Sequence, residues 1–426
     1  MVYKGKSERH REMTREERKI IGVTAAAHGL NHGFILIFSA VLPILQRDFE
    51  AGYFHLGLIG NICFLAYGLG SLPAGILSDR IGSRRLISLY LFGAALSAFL
   101  IAFSDSLVTL AMFIGMVGIF CSTYHPASNA LISRGIRKPG KGFGIHGIAG
   151  SLGIAMTPLV AGFLASALGW KSAYAIFGIA GVTVGVVSLT LRDIPKKDPM
   201  DDIKVGVSRN ERGVSLLPLV VFFASSATIG LCYRGVLTFL PTYMAQKVQI
   251  DFLPIGSVAL GGMMSTVALL FGTIGQYMGG ALSDHYLPEK VYFGAHLLGI
   301  PFLFLVGLSS NVFVVLFALA YAFFYFATQP AGVHLLSRYT SVQFRGTGYG
   351  IHFFLTFGVG SFASTLSGYM ADLFGLEWIF YTMGFFFLVS GMLAFVLVIL
   401  SRKIPRVSSN TPSVTQKGAG WQSQEN

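Results

Sequence analysis

Twelve long apolar stretches recur along this chain, separated by short polar segments. Each stretch has about 20 residues, the length that a helix needs to cross the roughly 30 Å hydrocarbon layer of a bilayer. Hydrophobic residues occupy 53% of the 426 positions and charged residues 12%, which is too little polar surface for a water-soluble protein of this size. The pattern therefore predicts an all-α integral membrane protein.

The predicted spans form two sets of six, on either side of a charged segment. The first set covers residues 19–43, 55–78, 86–104, 107–134, 142–166 and 170–191, and the second covers 214–241, 254–281, 290–308, 311–337, 347–371 and 376–400. The expected domains are a tail (1–18), a six-helix half (19–191), a linker (192–213), a second half (214–400) and a C-terminal tail (401–426). The last segment is polar, which favours disorder.

The distribution of basic residues predicts how the chain is oriented in the membrane. Cytoplasmic loops of membrane proteins carry an excess of Lys and Arg. Of the 31 such residues here, all but Arg47, Lys171, Arg234 and Lys247 fall in the tails, the linker or loops on the same side. We expect a multi-pass protein of the plasma (inner) membrane with both termini in the cytoplasm. The net charge of +12 then follows from orientation and requires no nucleic-acid partner.

The two sets of spans repeat each other in sequence. His125-Pro-Ala-Ser-Asn-Ala-Leu-Ile-Ser-Arg134 in the fourth span aligns with Gln329-Pro-Ala-Gly-Val-His-Leu-Leu-Ser-Arg338 in the tenth. Gly144-Ile-His146 recurs as Gly350-Ile-His352 at nearly the same offset. This repetition predicts two duplicated six-helix halves, with a solute site near the membrane midplane between them.

A glycine-rich basic loop follows the second span. It reads Gly75-Ile-Leu-Ser-Asp79-Arg80-Ile-Gly82-Ser-Arg84-Arg85, and a degenerate copy, Gly280-Ala-Leu-Ser-Asp284-His285, follows the eighth span. The glycines permit a tight turn, and Asp79 can lie at the positive N-terminus of the third helix. A loop that only sets orientation is the alternative interpretation.

This loop and its position resemble the signature of the major facilitator superfamily, over roughly residues 19 to 400. The resemblance implies that fold, with twelve transmembrane helices in two six-helix halves. It also implies that the loop latches the halves together in one conformation, so Gly75, Asp79, Arg80, Gly82, Arg84 and Asp284 are the gating candidates. The pair His125-Pro126, Lys141-Gly142 and the glycine-rich fifth span also resemble fosmidomycin-resistance-type exporters and related permeases.

Polar side chains inside spans are costly in lipid and are candidates for function by default. His28, Asn31 and His32 share one face of the first span by their spacing, which we expect to point into the central cavity. In the resembled family the first, fourth, seventh and tenth helices line that cavity, which adds His125, Asn129 and Gln329. The alternative for the histidines is that they only form hydrogen bonds between helices. Gln276, Gln329, His334 and His352 are weaker candidates, for which a role in packing or in a gate is the alternative.

Arg234 is the one cation that we place inside a span. A buried guanidinium needs a carboxylate partner, backbone carbonyl groups or an anionic substrate. Every Asp and Glu can be placed in a tail, a loop or the end of a span. The composition therefore favours a small anionic or zwitterionic solute over the cationic drugs that some exporters bind through a membrane-embedded acid.

The coupling of transport stays open at this stage. Histidine is the remaining group that titrates near neutral pH, so His28, His32 and His125 would carry protons in a proton-coupled transporter, whereas exchange or uniport needs no such group. We expect a monomeric transporter with a small solute, the bilayer and, where coupled, protons as partners, and no cofactor. The alternatives are a drug or antibiotic exporter, a non-transporting sensor, and a membrane enzyme with a metal on His28 and His32.

Overall fold

A computed structural model describes residues 13–137, 139–192, 216–250, 254–340 and 344–402. Spans 1 to 6 are Arg15–Asp48, Tyr53–Ile81, Ser83–Ala102, Leu107–Gly135, Pro139–Leu168 and Trp170–Ser188. Spans 7 to 12 are Leu216–Lys247, Ser257–His285, Pro288–Leu308, Asn311–Tyr339, 345–374 and Glu377–Ser401. Eleven of them are long and apolar enough to cross a membrane as one helix each, and span 11 is built from shorter pieces. The predicted all-α membrane fold is confirmed.

Some helices extend beyond the apolar stretches that predicted them. Span 1 begins at Arg15 because Thr14 caps it: the Thr14 hydroxyl accepts a hydrogen bond from the N–H of Glu17, and the Glu17 carboxylate accepts one from the N–H of Thr14. This capping box stabilises a polar first turn that hydropathy does not detect. Most of the predicted linker and C-terminal tail lies outside the described residues.

Two spans are interrupted. Span 4 consists of helices Leu107–Ser122 and Tyr124–Gly135, and the break at Thr123 lies three residues before Pro126, a residue type that can bend a helix. Span 11 consists of Arg345–Phe353, a π-helical segment Phe354–Val359 and Phe362–Phe374. Segments of π-helix are rare and occur frequently at functional sites.

The two halves pack closely at one end of the bundle. We call the end at which span 1 begins the proximal end and the opposite end the distal end. At the distal end, a Cβ atom on Gly57 in span 2 would lie 2.3 Å from the carbonyl oxygen of Ser364 in span 11, and one on Gly368 would lie 2.1 Å from that of Tyr53. Glycine therefore allows backbone contact between the halves, as small residues do in membrane proteins.

Candidate functional site

A cavity of about 850 Å³ lies between the two halves. Polar or ionisable lining comes from spans 1, 2, 4, 5 and 7 to 11: His28, His32, Tyr67, His125, Asn129, Ser151, Tyr233, Arg234, Gln276, Tyr292, Tyr325, Thr328, Gln329, Tyr349, His352 and Thr356. The lining reaches from residues near the middle of the helices, such as Leu36 and Leu237, to residues near the proximal ends of their spans, such as Phe143 and Phe222. The cavity thus extends toward the proximal end.

The distal end is closed by polar contacts across the halves. Both carboxylate oxygens of Asp372, near the end of span 11, accept hydrogen bonds of 2.8 Å, one from the backbone N–H of Tyr53 and one from that of Phe54. The side chain of Gln246 in span 7 donates to the hydroxyl of Tyr53 at 2.9 Å. In this conformation, a solute in the cavity is separated from the distal end by these contacts.

Four histidine side chains form a cluster within the N-terminal half. The Nδ1 atom of His28 lies 2.7 Å from the carbonyl oxygen of His146, and its Nε2 atom lies 3.1 Å from Nε2 of His32. The ring centroid of His125 is 4.9 Å from that of His28 and 5.7 Å from that of His32. His28, His32 and His125 line the cavity, so the cluster forms part of its wall.

His146 belongs to this cluster but was not among the residues predicted for the site. Its ring stacks on that of His28 with centroids 4.0 Å apart, and its side chain is buried. The signal was the repeated Gly-Ile-His triplet, because the corresponding His352 also lies against the first span of its own half, with Nδ1 2.9 Å from the hydroxyl of Ser226. His352 lines the cavity itself.

Asn31 occupies a different place from the one expected. It is fully buried and does not line the cavity. Its amide donates to the carbonyl oxygen of Cys121 at 3.0 Å, and its amide oxygen accepts from the hydroxyl of Tyr67 at 3.3 Å. The packing of span 4 against span 1 covers this residue, so Asn31 positions Tyr67, which does line the cavity.

Arg234 lies in the cavity wall, 4% exposed. Its guanidinium carbon is 3.6 Å from the ring centroid of Phe64 in span 2, and 5.1 Å from those of Tyr233 and Phe357. Its Nε atom is buried and has no hydrogen-bond partner, and no ion pair joins it to a carboxylate among the described residues. The aromatic faces stabilise the cation, but they supply no acceptor for its N–H groups.

The remaining binding candidates, Asn129 in span 4 and Gln329 in span 10, both line the cavity. They belong to the duplicated segments of the two halves. A solute between the halves would therefore face an amide from each side.

The loop after span 2 makes its turn at Gly82, whose φ of 94° favours glycine. Arg84 donates a hydrogen bond of 3.3 Å to the carbonyl oxygen of Leu189 at the end of span 6, within the same half. Arg80 is exposed, and a Cβ on Gly75 would meet no atom within 4 Å. The side chain of Asp79 lies outside the described part of the chain.

The second copy of the loop makes a local contact. The carboxylate of Asp284 lies 3.9 Å from Nε2 of His334 in span 10, at an exposed position of the same half. The Asp284–His334 contact and the hydrogen bond from Arg84 to Leu189 each lie within one half. A latch function of the two loops stays a prediction.

Three of the clustered histidines are grouped closely enough to hold a metal ion. The ligating nitrogen atoms of His28, His125 and His146 all lie within 4.8 Å of one another. Because His28, His32 and His125 line the cavity, we assign the cluster to its polar wall.

Comparison with known proteins gives one family. The family model described as Major Facilitator Superfamily matches residues 24–261 and 222–424. A "Probable hexose phosphate transport protein" of Chlamydia pneumoniae is 26% identical over 37% of this chain and 36% of its own length. The "Tetracenomycin C resistance and export protein" of Streptomyces glaucescens is 30% identical over 35% of this chain and 28% of its own length. The matched segments thus span 36% and 28% of the length of these two relatives.

Among solved structures, the fold agrees over almost the whole chain. A bacterial homologue of the human lysosomal transporter Spinster, in an inward-facing and occupied conformation, superposes with a TM-score of 0.77 at 16% identity, covering 91% of this chain and 98% of the other. At this level of identity the likeness establishes the fold alone.

Proposed function

This chain belongs to the major facilitator superfamily, and we propose that it carries a small organic anion across the membrane by alternating access, with Arg234 as the anion-binding side chain. Membership of the family makes the protein a multi-pass membrane transporter rather than an enzyme. The solute, the direction of transport and the coupling ion belong to the proposal.

The burial of Arg234 without an anionic partner carries this proposal. Removing a charged group from water costs several kcal/mol, on the order of what a buried ion pair must recover. The guanidinium carbon lies within 5.1 Å of the ring centroids of Phe64, Tyr233 and Phe357, but these rings supply no hydrogen-bond acceptor for its N–H groups. A carboxylate, sulfonate or phosphate in the cavity would supply acceptors and the missing negative charge.

Alternating access is supported by the way in which the halves meet. The ring of Phe64, which packs on the guanidinium of Arg234, belongs to span 2 of the opposite half. Movement of one half against the other would therefore change the surroundings of the cation. The π-helical segment of span 11 lies beside this contact, and a Cβ on Gly68 would lie 2.6 Å from Cα of Gly358 there. If both termini lie in the cytoplasm, as the proposal holds, the proximal end toward which the cavity extends faces the cytoplasm.

Proton coupling through the histidine cluster is part of the proposal. His28, His32 and His125 line the same cavity as Arg234, and protonating any of them would add positive charge near a bound anion. The transporter is proposed to work as a monomer, because each chain has both halves of the site. Gly75, Asp79, Arg80, Gly82, Arg84 and Asp284 are kept as the gating residues, at the proximal ends of the spans.

Export of a drug or antibiotic is the second candidate function. The size of the cavity, about 850 Å³, is within the range that holds drug-sized ligands, and one relative is described as a resistance and export protein. The likeness to fosmidomycin-resistance-type exporters stays a prediction. Export and an anion site are compatible, because a drug can itself be an anion.

The test is the thermal stability of the purified protein in detergent with a panel of organic anions and their neutral amides. A ligand that binds only the folded state raises the unfolding temperature. We expect anions but not amides to do so, and the shift to disappear in Arg234→Gln and to persist in Lys171→Gln, which removes a cation outside the cavity. Equal stabilisation of wild type and Arg234→Gln would contradict the proposal.

A further inference from the structure

We infer that the transported anion has a single charge and a flat aromatic body, as an aromatic carboxylate or sulfonate does. The inference rests on the proposed anion site at Arg234 and narrows the class of solute. The surroundings of the guanidinium favour some classes of anion over others.

The charge of the cavity limits the charge of the solute. Among the described residues that line it, Arg234 is the single Lys or Arg, and no Asp or Glu is present. A guanidinium and a monoanion neutralise each other through two parallel hydrogen bonds. With the lining histidines neutral, a sugar phosphate or a dicarboxylate would bring a second negative charge into surroundings where an uncompensated charge is strongly unfavourable. A monoanion is therefore the better match.

Two stacked aromatic pairs lie next to the cation. The rings of Tyr233 and Tyr325 stack with centroids 5.1 Å apart and an interplanar angle of 5°. Those of Phe353 and Phe357 stack at 5.7 Å and 12°. The Arg234 carbon lies 5.1 Å from one member of each pair, Tyr233 and Phe357. A flat ligand whose acidic group binds Arg234 would thus have aromatic side chains close to its body.

The lining is also rich in aromatic rings. Nine of the lining residues are aromatic: Tyr67, Phe143, Phe222, Tyr233, Tyr292, Tyr325, Tyr349, Phe353 and Phe357. Contact between aromatic rings stabilises a complex beyond the burial of apolar area. The same surroundings thus favour a solute with an aromatic body.

The test is calorimetric binding to the full chain in detergent, with probes that differ in charge and in aromatic character. Naphthalene-1-sulfonate is the aromatic monoanion, cyclohexanesulfonate is a monoanion with one saturated ring, naphthalene-1-sulfonamide lacks the charge, and glucose 6-phosphate and galactarate represent the polyhydroxylated dianions. We expect naphthalene-1-sulfonate to bind at least about fivefold more tightly than cyclohexanesulfonate, since an aromatic contact adds roughly 1 kcal/mol to area burial. The sulfonamide and both dianions should bind more weakly still.

Two matched variants connect this preference to the flanking rings. Phe357→Leu should remove most of the advantage of the aromatic sulfonate over cyclohexanesulfonate, whereas Phe103→Leu, at a position 80% exposed, should leave it unchanged. The unfolding temperature of each unliganded variant shows whether that variant is folded. If Phe357→Leu does not fold, the relative affinities of the wild type for the probes test the inference.

The outcomes separate this inference from the anion site itself. If glucose 6-phosphate or galactarate binds most tightly and loses affinity in Arg234→Gln, the anion site stands and the aromatic monoanion is wrong. If naphthalene-1-sulfonamide binds as tightly as the sulfonate, or no probe depends on Arg234, both are wrong. Tight binding of the aromatic sulfonate alone, dependent on both Arg234 and Phe357, is the supporting result.

Discussion

The carboxylate of Asp372, near the distal end of span 11, accepts a hydrogen bond of 2.8 Å from the backbone N–H of Tyr53, the first residue of span 2. Its second oxygen accepts from the N–H of Phe54 at the same distance. An acidic residue of one half thereby caps a helix of the other, where free N–H groups and the helix dipole both favour a negative charge. This contact must break when the distal end opens.

We predict that Asp372→Asn shifts the protein toward the conformation that is open at the distal end. The amide has one acceptor oxygen and no charge, so the closed end should lose about 1 kcal/mol, or roughly a fivefold change in the ratio of the two conformations. Asp48→Asn is the control, because Asp48 accepts from the indole N–H of Trp170 within the same half. A closed population unaltered in Asp372→Asn would contradict the prediction.

Spin labels on His55→Cys and Tyr369→Cys measure this shift. Both positions are exposed at the distal end, one in each half, and the native cysteines are buried, which limits their labelling. Double electron–electron resonance, which measures the distance between two spin labels, should show a longer distance when the distal end opens. The distribution should move to longer distances in Asp372→Asn and stay unchanged in Asp48→Asn.

A single methyl group in span 2 should also open the distal end. In Gly57→Ala the new Cβ would lie 2.3 Å from the carbonyl oxygen of Ser364, a rigid backbone atom of the other half. At Gly60, one turn further along, the nearest atoms would be 3.4 Å and 3.6 Å away, so Gly60→Ala is a matched control. The distance between the spin labels on His55→Cys and Tyr369→Cys should lengthen in Gly57→Ala and not in Gly60→Ala. The same distance in both variants would argue against tight packing between spans 2 and 11.

Two carboxylates near the ends of spans, those of Glu289 and Glu377, should contribute unequally to the stability of the fold. Glu289 is fully buried and accepts hydrogen bonds from Arg338 at 3.1 Å and from the hydroxyl of Tyr339 at 2.8 Å. Because removing one charge leaves Arg338 unpaired, Glu289→Gln should cost about 3 kcal/mol of stability. Glu377→Gln, which breaks a more exposed pair with Lys247, should cost less than about 1 kcal/mol. Equal unfolding temperatures would contradict this ranking.

Anion binding should depend on pH through the histidine cluster. The titratable groups around His125 are His28, His32, His146, Tyr67 and Tyr124, from spans 1, 2, 4 and 5. An imidazole that gains a proton adds positive charge to the cavity, so binding of a permanently charged sulfonate should tighten when the pH is lowered far enough to protonate the cluster. His125→Gln should weaken this dependence while naphthalene-1-sulfonate still binds. A wild-type affinity that stays constant over the whole acidic range in which the protein remains folded would rule out coupling through the cluster.

The number and order of the spans could be predicted because hydropathy and charge are local properties of the sequence. The ends of helices were harder to predict from the sequence. Span 1 is an example, because Thr14 and Glu17 cap a polar first turn there. The interruption of span 11 was not predicted. Its π-helical segment packs at Gly358 against Gly68 of span 2, a contact between residues far apart in sequence.

The site was predictable in its residue types and less so in its geometry. Arg234 was identified because a cation within an apolar stretch is unusual, yet its neighbours Phe64 and Phe357 come from other helices and have no local signal. The spacing of Asn31 placed it on the same face as His28, but the packing of span 4 covers it. His146 was missed because its position against His28 depends on how spans 1 and 5 meet.

The most direct test of the account is flux through the reconstituted protein. Proteoliposomes with wild-type protein, Arg234→Gln or Lys171→Gln would be loaded with labelled naphthalene-1-sulfonate, whose permanent charge keeps it from crossing lipid unaided, and its release would be followed after addition of unlabelled compound outside. We predict exchange in wild type and Lys171→Gln and a loss of about tenfold or more in Arg234→Gln, since an unpaired buried partner costs roughly 2 kcal/mol or more. Equal rates in wild type and Arg234→Gln would contradict the central role of Arg234.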